Sequence, residues 1–298
     1  MIGWSLLSEM AIDVWDFATF DGALSELLQG RSDLIRDYLT TSRRHYIDHE
    51  LSDHTQPNAF NPFAEEYGRF VEAVGREMDS RTIRAWHYCR MTDAEVSALR
   101  SDGIHLSTPD TLRHRLASMV AAGMMSDNEA EGLFAASPFH SSQLESRSNK
   151  YWMVSTPVPP DDSGVELLLG RWGGEVAYFW LRDQGLIDRV GQLGRARVIE
   201  VAVPVAATRH SYSAGAAVVA TFARTLGCKP DRKSFDLYTK QALGPEAILA
   251  VRTEGEAEFM TLAATYPPGS ADPTIGDYDD LVAEMEAIRR RRGESGSS

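Results

Sequence analysis

Apolar positions over the first eighty residues recur at the three-to-four spacing of helices. Leu6, Met10, Val14 and Phe17 form one set; Leu24, Leu27 and Leu28 form another, closed by Gly30. Ser32 suits the cap of a further helix carrying Leu34, Ile35 and Leu39. His49 to Pro62 is polar, holds two prolines and two asparagines, and reads as a loop. A helix is expected from Pro62 to Met78, with Phe63, Tyr67, Phe70, Val71 and Val74 as its stripe. At Thr82 the period changes to two. Ile83, Ala85, His87 and Cys89 fall on one side of a pleat and Trp86 and Tyr88 on the other, which predicts a strand over Thr82 to Met91.

Caps then mark three helices. Thr92-Asp93-Ala94-Glu95 is a capping box whose helix ends at Gly103. Thr108-Pro109 opens a second with proline in its first turn, and Ser126-Asp127-Asn128-Glu129 is another capping box. Beyond Ser137 short runs of β-formers dominate: Lys150 to Thr156, Glu175 to Leu181, Ala196 to Pro204, Glu246 to Arg252 and Ala257 to Ala263. Ser213 to Leu226 reads as a small-residue helix. Pro267 to Pro273 reads as a linker and Tyr278 to Ile288 as a short helix, with Arg289 to Arg292 at its negative end and a disordered tail after Gly293. The expected class is α+β: a helical region over 1–80, a domain over 81–266 with about six strands split between two packed sheets, and a terminal segment over 267–298.

Composition narrows the function. The 298 residues carry a formal charge of −13, so a sequence-indifferent grip on nucleic acid is not expected, though a nucleotide or a single-stranded end entering one pocket remains compatible. Cys89 and Cys228 are the two cysteines and form no CxxC pair. Free thiols suit a reducing compartment. Met1 to Met10 includes Glu9 and lacks the pattern of a secretory signal, and no apolar run approaches the ~20 residues of a membrane helix. A cytoplasmic protein without membrane contact is expected. His105, His114, His140 and His210 lack ligand spacing, so no metal is expected. GxGxxG after a strand, GxxxxGK[ST], HExxH and GxSxG are all absent.

What remains are polar residues at strand positions. His87 lies in Trp86-His87-Tyr88-Cys89-Arg90, followed by a helix that ends in Gly103-Ile104. Gly174-Glu175-Val176-Ala177-Tyr178-Phe179 and Gly244-Pro245-Glu246-Ala247-Ile248-Leu249 come later in that order. The three elements together, over roughly residues 80 to 263, resemble ADP-ribosyltransferases of the diphtheria-toxin and poly(ADP-ribose) polymerase branch, the His-Tyr-Glu type; Tyr88-Cys89 stand where that family usually has Gly and then Ser or Thr.

The resemblance implies a split two-sheet core and NAD as co-substrate. It implies a toxin-like mono-ADP-ribosyltransferase acting on a macromolecular or nucleotide acceptor, protein or nucleic acid. By the resemblance Glu246, His87 and Tyr178 would be catalytic. Glu246 would stabilise the oxocarbenium-like charge on the ribose, Tyr178 would stack on nicotinamide, and His87 would bond the ribose hydroxyls. His87, Tyr88, Tyr178 and Arg90 would contact NAD, with Arg90 and Arg171 suited to its diphosphate. Glu254, Glu256 and Glu258 are the other carboxylates that could hold the acidic position. Two alternatives stand beside this reading. One is a non-catalytic or regulatory NAD- or nucleotide-binding protein on the same scaffold, and the other an unrelated hydrolase with His87 as base.

Overall fold

A computed structural model describes residues 11–52, 59–230, 234–264, 266 and 276–294, with the backbone alone at 276–280 and 292–294. In chain order α1 (Gly22–Gln29), α2 (Ser32–Leu51) and α3 (Ala64–Met78) lead to β1 (Thr82–Met91). α4 (Asp93–Asp102), α5 (Pro109–Ala121), α6 (Asp127–Ala135) and the short α7 (Leu144–Arg147) precede β2 (Tyr151–Val154). α8 (Glu166–Gly170), α9 (Glu175–Tyr178) and α10 (Gln184–Gln192) precede β3 (Arg195–Pro204). α11 (Ser211–Thr225), β4 (Asp236–Thr239), β5 (Ile248–Thr253), α12 (Ala257–Met260) and α13 (Gly276–Glu294) complete the order. The chain divides into two compact units. A helical one draws on Ile12–Arg81, His210–Ser234 and Tyr266–Ser298, and a sheet-bearing one on Thr82–Arg209 and Phe235–Thr265.

The class is α+β, with one antiparallel sheet of five strands in the order β4-β2-β1-β3-β5. Six strands in two packed sheets are expected from the sequence; the described residues form five in one. Two expected strands are helical. In Glu175 to Leu181 the buried residues Ala177, Tyr178 and Leu181 keep helical spacing while Phe179 and Trp180 face solvent. In Ala257 to Ala263, Phe259 and Leu262 are buried three apart and Met260 is exposed. Aromatic and β-branched content suggests strands there, and packing against neighbouring helices overrides it. β4 escapes the sequence reading because Asp236-Leu237-Tyr238-Thr239 is short and half polar, with only Leu237 and Thr239 turned into the core.

β1 and β3 pair along all ten residues, from Thr82 opposite Pro204 to Met91 opposite Arg195. Ala196 to Val203 is buried on both faces, and its two charged residues are paired: Glu200 with Arg84 and Arg252, and Arg197 with Asp93 and the Thr253 hydroxyl. The reversal into β3 needs Gly194: its φ is +64°, and a Cβ there would lie 2.5 Å from the Met91 carbonyl carbon. All three capped helices form as expected. Thr92 and Glu95 exchange bonds at α4, Thr108 and Thr111 at α5, and Ser126 and Glu129 at α6.

In the helical unit α3 and α11 cross at a glycine pair. A Cβ on Gly215 would stand 2.5 Å from the Gly75 nitrogen, so the two backbones touch only because neither residue carries one. Val71, Val74 and Met78 are buried on α3, and Ala214, Val218 and Phe222 on α11. Val14 and Phe17 do not lie on an α-helix: Phe17–Thr19 is a 3-10 turn, and the Val14 carbonyl accepts from Thr221 Oγ1 at 2.7 Å. Leu6 and Met10 lie outside the described residues. α2 runs on to Leu51, into the stretch expected to be loop. α13 continues to Glu294 and takes in Arg289 to Arg292, while the expected linker and tail fall outside the described residues apart from the last helical turn.

Candidate functional site

Antiparallel pairing of β1 with β2 sets Trp86 opposite Val154, which places Tyr151 beside Cys89 and diagonal to His87 on one face. The imidazole of His87 and the ring of Tyr151 lie 4.2 Å apart, tilted by 32°. His87 Nδ1 is 2.8 Å from the Trp152 carbonyl oxygen. A carbonyl only accepts, so Nδ1 carries the proton and Nε2 keeps its lone pair. His87 is half-buried, and burial pulls its pKa from 6.5 down to about 4, with the Arg115 charge adding to the effect. The imidazole is neutral at pH 7. Tyr151 is half-buried as a residue, but its hydroxyl is fully buried and has no hydrogen-bond partner among the described residues. Burial raises its pKa well above 10.

α5 supplies the cation. Arg115 Nε donates to Glu95 Oε1 at 2.8 Å, and the guanidinium lies 4.8 Å from the centre of the Trp172 ring. Glu95 Oε2 accepts from Trp172 Nε1 and from the Thr92 amide, each at 2.8 Å. Burial pushes the Glu95 carboxyl upward, but the Arg115 charge and these bonds outweigh it and hold the pKa below its usual value. The capping residue of α4 thereby anchors Arg115, whose charge acts on His87, Cys89 and Tyr151. Cys89 is buried and its thiol is pushed up to about 12, so it is an inert neighbour rather than a nucleophile.

The sequence-derived candidates are dispersed among different elements. Tyr178 is on α9, not on a strand; it is buried, its pKa is raised to about 12 by burial, and Arg171 lies 5.6 Å from its ring. Glu246 is exposed, in a 3-10 turn ahead of β5 rather than in the strand. The register carries His87 across Ile199 to Val251, five residues beyond Glu246 along the chain. Tyr88 is on the opposite face of β1 from His87. Its hydroxyl donates to the Val158 carbonyl at 2.7 Å and accepts from the Val158 amide at 2.6 Å. Arg90 Nε donates to the Leu193 carbonyl at 2.9 Å, and its guanidinium lies 3.9 Å from Glu254. Glu256 accepts from the Thr253 amide at 2.8 Å, and Glu258 pairs with Arg252 at 2.8 Å.

Tyr151, Arg115 and Glu95 escape the sequence reading. Tyr151 lies inside a predicted strand, but only the register reveals that it meets His87. Within the helical unit a cleft of about 710 Å³ is lined by Arg43, Asp48, Cys228, Lys229 and Glu284, among others; none of the sequence-derived candidates lines it. Among the described residues no three His, Cys, Asp or Glu side chains converge as metal ligands, and no helix is long and apolar enough to cross a membrane. No protein-family model, no curated protein and no solved structure matches this chain.

Proposed function

We propose that this protein is an NAD-dependent mono-ADP-ribosyltransferase of the kind its motifs resemble, acting on a macromolecular or nucleotide acceptor. The observation that carries the reading is the His87–Tyr151 pair, a neutral imidazole with a free Nε2 lying 4.2 Å from, and tilted 32° to, an aromatic ring of the neighbouring strand. The free Nε2 is the acceptor that a ribose hydroxyl would satisfy. In this reading Tyr151 takes the stacking role that the sequence assigns to Tyr178. The reaction breaks the nicotinamide–ribose C–N bond, its electron pair leaving with neutral nicotinamide. A bond then forms from the acceptor nucleophile to the ribose carbon, and the nucleophile's proton passes to a base. Glu246 remains the proposed carboxylate by its place at the head of β5.

The second reading is a nucleotide-binding protein without transfer. Glu246 is exposed in a 3-10 turn, five residues before the Val251 that the register aligns with His87, and this favours binding without turnover. NAD⁺ labelled in its adenylate half separates the two. The transferase reading expects released nicotinamide and label on an acceptor, both lost in Glu246→Gln and Tyr151→Ala. Binding without nicotinamide release, abolished by Tyr151→Ala and unaffected by Glu246→Gln, supports the second reading. Neither binding nor release removes both.

A further inference from the structure

β2 presents a second aromatic residue to the face opposite His87. Trp152 stands directly across from Tyr238 on β4, the edge strand of the sheet. Their rings lie 4.6 Å apart at 59°, and Trp152 is 37% exposed, although burial is the usual fate of an indole. The chain has four lysines against 26 arginines, and two of the four flank this pair. Lys150 Nζ lies 5.0 Å from the centre of the Tyr238 ring and 5.8 Å from that of Trp152; Lys240 Nζ lies 5.8 Å from the Tyr238 centre.

Lys150 is held in position. It donates to the Glu145 and Ser146 carbonyls at 2.8 and 3.3 Å, and the Ser146 carbonyl also receives Trp152 Nε1 at 3.4 Å. An ammonium has three donors, so one remains on Lys150. Lys240 is exposed, and among the described residues its ammonium has no hydrogen bond or ion pair, so all three remain. The acidic residue on this face of β4 is Asp236, at the strand's other end, which would direct a bound anion toward the Lys240 end.

We propose that Trp152, Tyr238, Lys150 and Lys240 form a binding platform for a short single-stranded segment of nucleic acid. One base stacks on the exposed indole, and the adjoining phosphates take the free lysine donors. Stacking tolerates any base, while lysines on both sides of the rings supply the countercharge. An acidic peptide would use the lysines and leave the indole idle. A duplex keeps its bases stacked internally and meets a surface of net charge −13 with two lysines, so it is excluded. The proposal is independent of the transferase reading, since binding is measured without NAD⁺.

The experiment uses the full chain and a fluorescently labelled oligothymidylate about a dozen nucleotides long, with oligouridylate, the matching duplex and a polyglutamate peptide as comparisons. Anisotropy is read at low salt and then through a salt series. Single strands are expected to bind, with intrinsic tryptophan fluorescence quenched. Trp152→Leu, which keeps an apolar residue in the strand, weakens binding about tenfold or more. Lys240→Glu, at an exposed position that does not threaten folding, weakens it and flattens the salt slope by about one. Circular dichroism checks both variants. The proposal is overturned by absence of single-strand binding, by binding unchanged in Lys240→Glu, by equal duplex binding, or by polyglutamate binding that equals the oligonucleotide's and survives Trp152→Leu.

Discussion

Lowering the pH should destabilise the fold through His87 by an amount its surroundings define. The imidazole's pKa falls from the ordinary 6.5 to about 4 in the folded protein. A folded pKa below the unfolded one means that between those values the unfolded chain binds the extra proton and the folded chain does not. Stability is therefore full above pH 6.5 and declines as pH falls toward 4. Between pH 7 and pH 5 the loss from this one group is about 2 kcal/mol, close to 1.4 kcal/mol for each unit below 6.5. His87→Asn isolates it: the asparagine amide can donate to the Trp152 carbonyl in place of Nδ1, and it does not titrate. Urea unfolding of both proteins at pH 7 and pH 5, followed by a sheet-unit signal such as the indole of Trp86, gives the difference of differences, in which the other seven histidines cancel. The expected result is a parent that loses about 2 kcal/mol more than the variant. Equal pH slopes, or an imidazole that titrates at 6 to 7 by NMR, would refute the burial argument and with it the neutral Nε2.

Tyr151→Phe should raise stability by about 1 kcal/mol, because it removes a buried hydroxyl without a partner; thermal unfolding checks this, and a loss would mean that the hydroxyl is bonded. Glu95→Gln takes from the half-buried Arg115 and the Trp172 indole N–H the carboxylate they share and should cost about 2 kcal/mol, read from the urea midpoint. Gly194→Ala combines a φ of +64° with a collision against the Met91 carbonyl and should cost at least about 2 kcal/mol in the same assay. Cys89 should resist a thiol reagent at pH 8 that labels Cys228, since burial holds its thiol near 12; labelling at equal rates would contradict that.

Elements whose signals are local were legible in the sequence. The Thr82–Met91 strand and the caps at Thr92, Thr108 and Ser126 depend on neighbours within four residues, and they form where those neighbours predict. Glu175 to Leu181 failed because its aromatic residues signal a strand, whereas burial of Ala177, Tyr178 and Leu181 against surrounding helices selects a helix. The surroundings of His87 were not legible for a different reason. His87 is conspicuous as a polar residue in an apolar strand, but its partners are 64 residues away in Tyr151 and 28 away in Arg115, and neither spacing has a period. A register between strands is a property of the whole sheet, and a pattern within one strand does not contain it.

The glycine pair at the crossing of α3 and α11 bears on how the molecule is made. Gly75 and Gly215 are 140 residues apart, with β1, β2 and β3 encoded between them. At a synthesis rate of about 5–20 residues per second, α3 leaves the ribosome roughly 7 to 28 s before α11. Through that interval the face of Val71, Val74 and Met78 lacks the helix that covers it in the finished protein. Closing so long a loop is slow, and a bare apolar helix is what holdase chaperones capture. The helical unit begins first in the sequence and closes late, which ties the yield of folded protein to what shelters α3 while the sheet is being translated.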